Sequence, residues 1–466
     1  MKKFRWPRRL RAVWRFFKEA HYTLMGHRVR EIRLDIADVR NSVLALRLDG
    51  FIEACAHGEA RPELAVVSCL PGDETGIARF TETHLAQWDG EFDLFTEITD
   101  FQKLIGIVGR LTGRSKASSV FSVDSLPIKA MQRSYKRVLF VIGNSDHNGV
   151  LLKAMSDYIA AFGAGNVFCF LHDPVCFNVG RRSLGLTEAE YGKMLADLHG
   201  RNFREIGGQQ KYIFDNFLAA GIHGPRVLTH KFGVKNFIVN STAARDIILQ
   251  DCGDRSPRIE VLFHPVFPLE IADPLPLAYP ADHEELLIGS FGSPSLEKRT
   301  DVIIRACEQL VREGRKLRLL LVGYGGEVYL KRHYGDHPPP WIELSLAETE
   351  AEFQMQMARC HIAVQLRRRN LGESSGVVPT LLRLGKTVIA SPIGAFTDYR
   401  DAVIYFDGEA PQLAAILREG ATVSPQRMAE FAASHDVATF NRALRAILFP
   451  PVASPGVPDP SHSGRI

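Results

Sequence analysis

Gly372, Glu373, Ser374, Ser375, Gly376 and Val377 place an acidic side chain on a glycine-flanked loop directly ahead of an apolar helical run. Ser375 and Gly376 are expected to open that helix, so their amide N–H groups point at whatever stands in front of it. Helix N-termini attract phosphate oxygens. Glu373 would then lie where it can grip the hydroxyls of a sugar attached to a bound diphosphate. Residues Gly385-Lys386-Thr387-Val388-Ile389-Ala390-Ser391 follow as a turn and a buried strand. An ordinary helix cap in any α/β protein would use the same residues, so the loop needs corroboration.

Cations supply some. Glu285 to Gly292 reads as a strand emptying into a loop, and Lys298-Arg299-Thr300-Asp301 opens the next helix. A cation is disfavoured at a helix start unless an anion sits there too. Facing a diphosphate, Lys298 would stabilise the charge that develops as the leaving group departs. A solvated surface lysine is the plainer reading, and Arg299 is the weaker candidate of the two. Gly323-Tyr324-Gly325-Gly326 ends another core strand, Leu317 to Val322, and bare backbone there would let a nucleotide approach closely. Arg367 ends the strand from His361, six residues before Glu373.

The first half of the chain offers matching groups. Leu64 to Leu70 is a buried-strand run ending in a turn that reaches Gly76, Ile77 and Ala78. Val138 to Gly143 runs into Asn144-Ser145-Asp146-His147, and Val167 to Leu171 ends on His172 and Asp173. Both strands deliver a histidine at their C-terminal ends, where ligands meet an open parallel sheet. A single histidine is more often a structural hydrogen-bonder, so functional and structural roles stay open for each. His264 is read as structural.

These stretches, in this order, resemble the family 4 retaining glycosyltransferases of the GT-B fold. The resemblance spans about Leu64 to Leu448 and rests on the Gly-Glu-[Ser/Thr]-Ser-Gly variant of the donor motif at Gly372–Gly376, with Gly394-Ala395-Phe396 after it. It implies two Rossmann-like domains facing across a cleft and transfer of a sugar from a nucleotide-diphosphate sugar to a hydroxyl of a glycan or lipid-linked saccharide. On the donor side it implies Gly76, Gly292, Lys298, Arg299, Gly323, Arg367, Glu373, Ser374, Ser375 and Gly376, and on the acceptor side His147, His172 and Asp173. His172, Glu373 and Lys298 would be the catalytic set. No essential metal or other cofactor is implied, and no Asp-x-Asp pair stands at a strand end. One departure matters: where many members carry a second glutamate eight residues on, this chain has Leu381. That departure supports a second reading, a catalytically inactive module binding sugar nucleotide or glycan as a scaffold. A sugar-nucleotide epimerase of similar architecture is a third.

The elements that must position these groups follow from length and composition. A chain of 466 residues, 45% hydrophobic and 24% charged, is expected to form two domains with ample cores. The net charge of +4 does not point to nucleic acid. Seven scattered cysteines without a Cys-x-x-Cys argue for reduced thiols and a cytoplasmic setting, and no apolar run reaches the roughly 18 residues of a membrane span. The expected domains are a leader (1–61), an acceptor domain (62–268), a proline-rich linker (269–282), a donor domain (283–422), a return helix (423–449) and a disordered tail (450–466). In residues 1–25, Trp6, Leu10, Val13, Trp14 and Phe17 share one helical face and eight cations the other. That reads as an anchor on an anionic membrane surface or as a helix packed on its own domain. Val29, Ile32, Ile36, Val39, Val43 and Leu46 form a short heptad seam in 29–46, suited to dimerisation or to packing on the neighbouring domain.

Overall fold

Strand-forming runs that are apolar on both faces belong in parallel sheets covered by helices on both sides. In the computed structural model, two such sheets form. Residues 62–70, 75–99, 102–103, 105–107, 117–207, 213–253, 257–272 and 277–450 are described. The leader, the heptad seam and the tail lie outside them.

The first sheet has seven strands: β1 (Leu64–Val67), β2 (Phe92–Thr96), β3 (Ala117–Ser122), β4 (Arg137–Ile142), β5 (Val167–Leu171), β6 (Asn236–Val239) and β7 (Arg258–Val261). Their order is β3-β2-β1-β4-β5-β6-β7, every pair parallel. The second has six: β8 (Leu286–Phe291), β9 (Leu317–Val322), β10 (Ile342–Ser345), β11 (Ile362–Gln365), β12 (Thr387–Ala390) and β13 (Ile404–Tyr405). Its order is β10-β9-β8-β11-β12-β13, again all parallel. These are the two Rossmann-like domains expected of the sequence. In each sheet the order reverses between two central strands, β1 and β4 in one and β8 and β11 in the other. At such a switch point the loops diverge and leave a crevice beyond the carboxyl ends of the strands.

Three apolar clusters hold the two layers. Val66, Val67, Val138 to Ile142 and Val167 to Leu171 are buried in the first domain, and the second domain has one cluster on each face of its sheet. The stretch Ser424–Leu448 forms two helices rather than one. Pro425–Ser434 packs on the second domain through Met428 and Phe431. Val437–Leu448 packs on the first through Phe440, Leu444 and Leu448. The break is local chemistry: Asp436 is extended and its carboxylate accepts from the Thr439 amide at 2.7 Å, which starts a new helix. There the chain runs beside Val266, whose amide donates to the His435 carbonyl at 2.7 Å, so both inter-domain passages meet.

Candidate active site between the two sheets

The loop from Arg367 to Gly376 follows β11, at the switch point of the second sheet. Asn370 shapes it. Its amide oxygen accepts from the amides of Gly372 and Ala395, each at 2.9 Å, and its nitrogen donates to the Glu373 carbonyl at 3.1 Å. Gly372 has φ +94°, and a Cβ there would come within 2.8 Å of the Ala244 backbone in the other domain. Only glycine fits that approach. The two domains are bonded at this point. Ser241, which caps the helix Thr242–Cys252, donates to the Gly372 carbonyl at 2.7 Å, and Ser374 donates to the Asn240 carbonyl at 3.3 Å.

The helix behind the loop is Val377–Arg383. The buried Ser375 hydroxyl accepts from the amides of Val377 and Val378 at 3.3 and 3.4 Å, so part of its N-terminal hydrogen bonding is satisfied internally. Gly376 is exposed. Glu373 is half-buried, and its carboxylate accepts from the Leu371 amide at 2.8 Å. Burial raises its pKa; the backbone amides of Glu373 and Leu371 pull the other way, and the charge of Asp173 adds to the rise.

Lys298, in the loop that follows β8, and Arg367, just past the end of β11, are near enough for the charge of Arg367 to act on Lys298. A Cβ on Gly292 would fall 2.3 Å from the Lys298 Nζ, so that glycine clears the space the lysine occupies, and Gly323, φ +148°, lets its own loop pack on the Gly292 backbone. Burial, with a smaller contribution from the positive charge of Arg367, brings the Lys298 pKa down to about 8. Arg367 is also lowered by burial and lies 5.3 Å over the Phe396 ring. Among the described residues neither forms a salt bridge with a carboxylate. Two desolvated cations held together in this way make a binding place for an anion. Arg299 is not part of it. Its backbone is left-handed at φ +50°, and its guanidinium donates to the Gly408 carbonyl and lies 3.5 Å from Glu409, apart from the Lys298 and Arg367 pair.

Across the cleft, His172 follows β5. Its ring stands edge-on to Phe80, with centroids 4.3 Å apart, and stacks on Phe170 at 5.0 Å. Burial, reinforced by His264 and His84, lowers its pKa to about 3, so the imidazole is neutral, and its Nε2 is buried without a hydrogen-bond partner. Asp173 accepts from the Asn144 amide at 2.8 Å, and burial raises its pKa. Gly143 leaves room there for the Ile77 side chain and the Asp173 carboxylate, both of which a Cβ would displace.

A cavity of about 550 Å³ joins the two sides. Gly76, His172, Asp173, Ser374 and Gly376 line it together. His147 does not; it lies exposed in the short turn Asp146–Asn148. Sequence reasoning missed Arg79, Phe80, Phe267, Glu350, Phe353 and Met357, which also line the cavity. It also assigned His264 a purely structural place, whereas the ring borders the cavity while its Nδ1 bonds the Pro265 carbonyl at 2.9 Å. Among the described residues no group of three or more His, Cys, Asp or Glu could hold a metal ion.

The sequence matches no family profile and no curated protein. Solved structures do resemble the fold. Anabaena HepE, determined in complex with UDP-glucose, is 16% identical with a TM-score of 0.53 over 83% of this chain and 99% of its own. WaaB, a lipopolysaccharide outer core galactosyltransferase solved in its apo form, is 9% identical at TM-score 0.52 over 83% and 99%. The N-terminal domain of Candida albicans trehalose-6-phosphate phosphatase is 12% identical at 0.53 over 83% and 96%. At such identities the likeness shows the architecture: two Rossmann-like domains in the GT-B arrangement.

Proposed function

We propose that this chain is a glycosyltransferase that moves a sugar from a nucleotide-diphosphate donor to a hydroxyl acceptor. The observation that carries the reading is the pair of half-buried cations, Lys298 and Arg367, at the second switch point and beside Glu373, with His172 and Asp173 opposite. Lys298 and Arg367 would neutralise the diphosphate as its bond to the sugar breaks. Glu373 would hold sugar hydroxyls, and the neutral His172 would hydrogen-bond the sugar or acceptor. HepE and WaaB, which share the fold, bind UDP-glucose and are named a galactosyltransferase respectively, which fits a nucleotide-sugar site.

The finer reading is that the enzyme is a family 4 member, retains anomeric configuration, needs no metal and serves envelope polysaccharide or glycolipid assembly. It rests on the motif resemblance and on the basic amphipathic pattern of residues 1–25. One observation favours the binding-only alternative: Leu381, at the second glutamate's position, is fully buried in the second domain's core and offers no acidic group to a ribose. An assay decides between them. Transfer from UDP-, GDP- and ADP-sugars to a soluble oligosaccharide and to a vesicle-embedded glycolipid is expected for one donor, preferentially at the vesicle. Lys298→Ala is expected to cost roughly 100-fold in rate. Binding without transfer or donor hydrolysis would establish the scaffold reading.

A further inference from the structure

The charge of the cavity is not distributed like that of the loop beside it. Lys298 and Arg367 stand beyond the carboxyl ends of the second sheet's central strands and are not among the residues that line the cavity. Among the described lining residues the one cation is Arg79, and it is already engaged. It pairs with Glu350 of the opposite domain and lies 3.6 Å from Glu270. The lining carboxylates are Asp173 and Glu350. His172 and His264 are neutral, brought by burial to about 3 and about 4. The remaining wall combines apolar side chains, Phe80, Phe267, Phe353 and Met357 drawn from both domains and from the passage between them, with uncharged polar ones such as Asn144 and Ser374.

A carboxylate entering this space would lose its hydration, meet two carboxylates and find, among the described lining side chains, no unpaired cation. An uncharged sugar meets a different surface. Its apolar ring faces can lie on the aromatic walls, and the buried, unpartnered Nε2 of His172 can bond a hydroxyl.

Resting on the function proposed above, we propose that the transferred group is an uncharged sugar and that the Arg79–Glu350 pair enforces this choice. By occupying Arg79, Glu350 denies a sugar carboxylate the cation that would otherwise accept it. Specificity of this kind comes from a withheld partner and a repulsive neighbour as much as from favourable contacts.

The experiment is calorimetric and uses the full chain. Bare UDP, GDP and ADP first establish which base is bound. The hexose donor of that base is then compared with its uronate counterpart, for instance UDP-glucose with UDP-glucuronate. The uronate is expected to bind at least about ten-fold more weakly. Glu350→Gln leaves Arg79 unpaired on that side and is expected to narrow the gap at least about three-fold, chiefly by tightening the uronate. Equal affinities for the two donors in the unaltered chain overturn the inference while leaving the glycosyltransferase reading standing. A gap that Glu350→Gln does not change removes the role given to the Arg79–Glu350 pair. Failure of every bare nucleotide to bind brings down the underlying reading and this inference with it.

Discussion

Lys298 is where the site's chemistry is most exposed to test. Burial and the neighbouring Arg367 bring its pKa to about 8, far below that of a solvated lysine. Below pH 8 the ammonium is present in the free protein; above it the charge is progressively lost. A bound diphosphate favours the charged form, so its complex keeps the proton to higher pH. Nucleoside diphosphate affinity is therefore expected to fall as pH rises above about 8, by up to about ten-fold per unit. Lys298→Arg, which stays charged, is expected to flatten that limb. A wild-type affinity that is level from pH 7 to 10 would contradict the assignment. Lys298 draws attention in the sequence because a cation at a helix start is anomalous, and its phosphate role is the one proposed above. Arg299 was misjudged alongside it: adjacency in sequence says nothing of direction, and its left-handed backbone turns it towards Gly408.

At the scale of elements, the loop Arg367–Gly376 is held in two places, by Asn370 from within and by the helix Thr242–Cys252 from the other domain. Thr242 strengthens the second hold, donating its hydroxyl to the Asp398 carboxylate at 2.7 Å and its amide at 3.2 Å. Gly372→Ala would place a methyl against the Ala244 backbone at a φ that alanine resists. The expected cost is about 1–3 kcal/mol in denaturant unfolding, with weaker nucleotide binding as the loop lifts from its support. Unchanged stability and affinity would show that the contact does not position the loop. The strands on either side were readable where they were predominantly apolar, as in β4, β5, β8 and β9. Three strands were not. β2 carries Asp93, which is wholly buried and held by Tyr135 at 2.5 Å and Arg133 at 2.9 Å, partners that sequence spacing does not reveal. β3 is an edge strand rich in serine. β10 is a half-buried edge strand whose Glu343 is paired with Arg318 and Arg359.

At the scale of the whole molecule, the crevice is the sum of two switch points facing each other, and only half of it could be read in advance. The glycine-marked loops and His172 at its strand end announce themselves by position; His147, at the other strand end, points to a place outside the cavity. Arg79, Glu350, Phe353 and Phe267 do not, because each is an ordinary helix or linker residue until the other domain is set against it. On the proposed function, the same assembly would divide the labour: the cations beyond the second sheet's strand ends for phosphate, the neutral and aromatic groups of the cavity for sugar. That division depends on a nucleotide diphosphate occupying the cation pair. The direct measurement is a calorimetric titration of UDP, GDP and ADP into the full chain and into Lys298→Ala. One nucleotide is expected to bind the unaltered protein, with a loss of at least about ten-fold in the variant. No uptake of any of the three, or equal uptake by both proteins, would contradict the account.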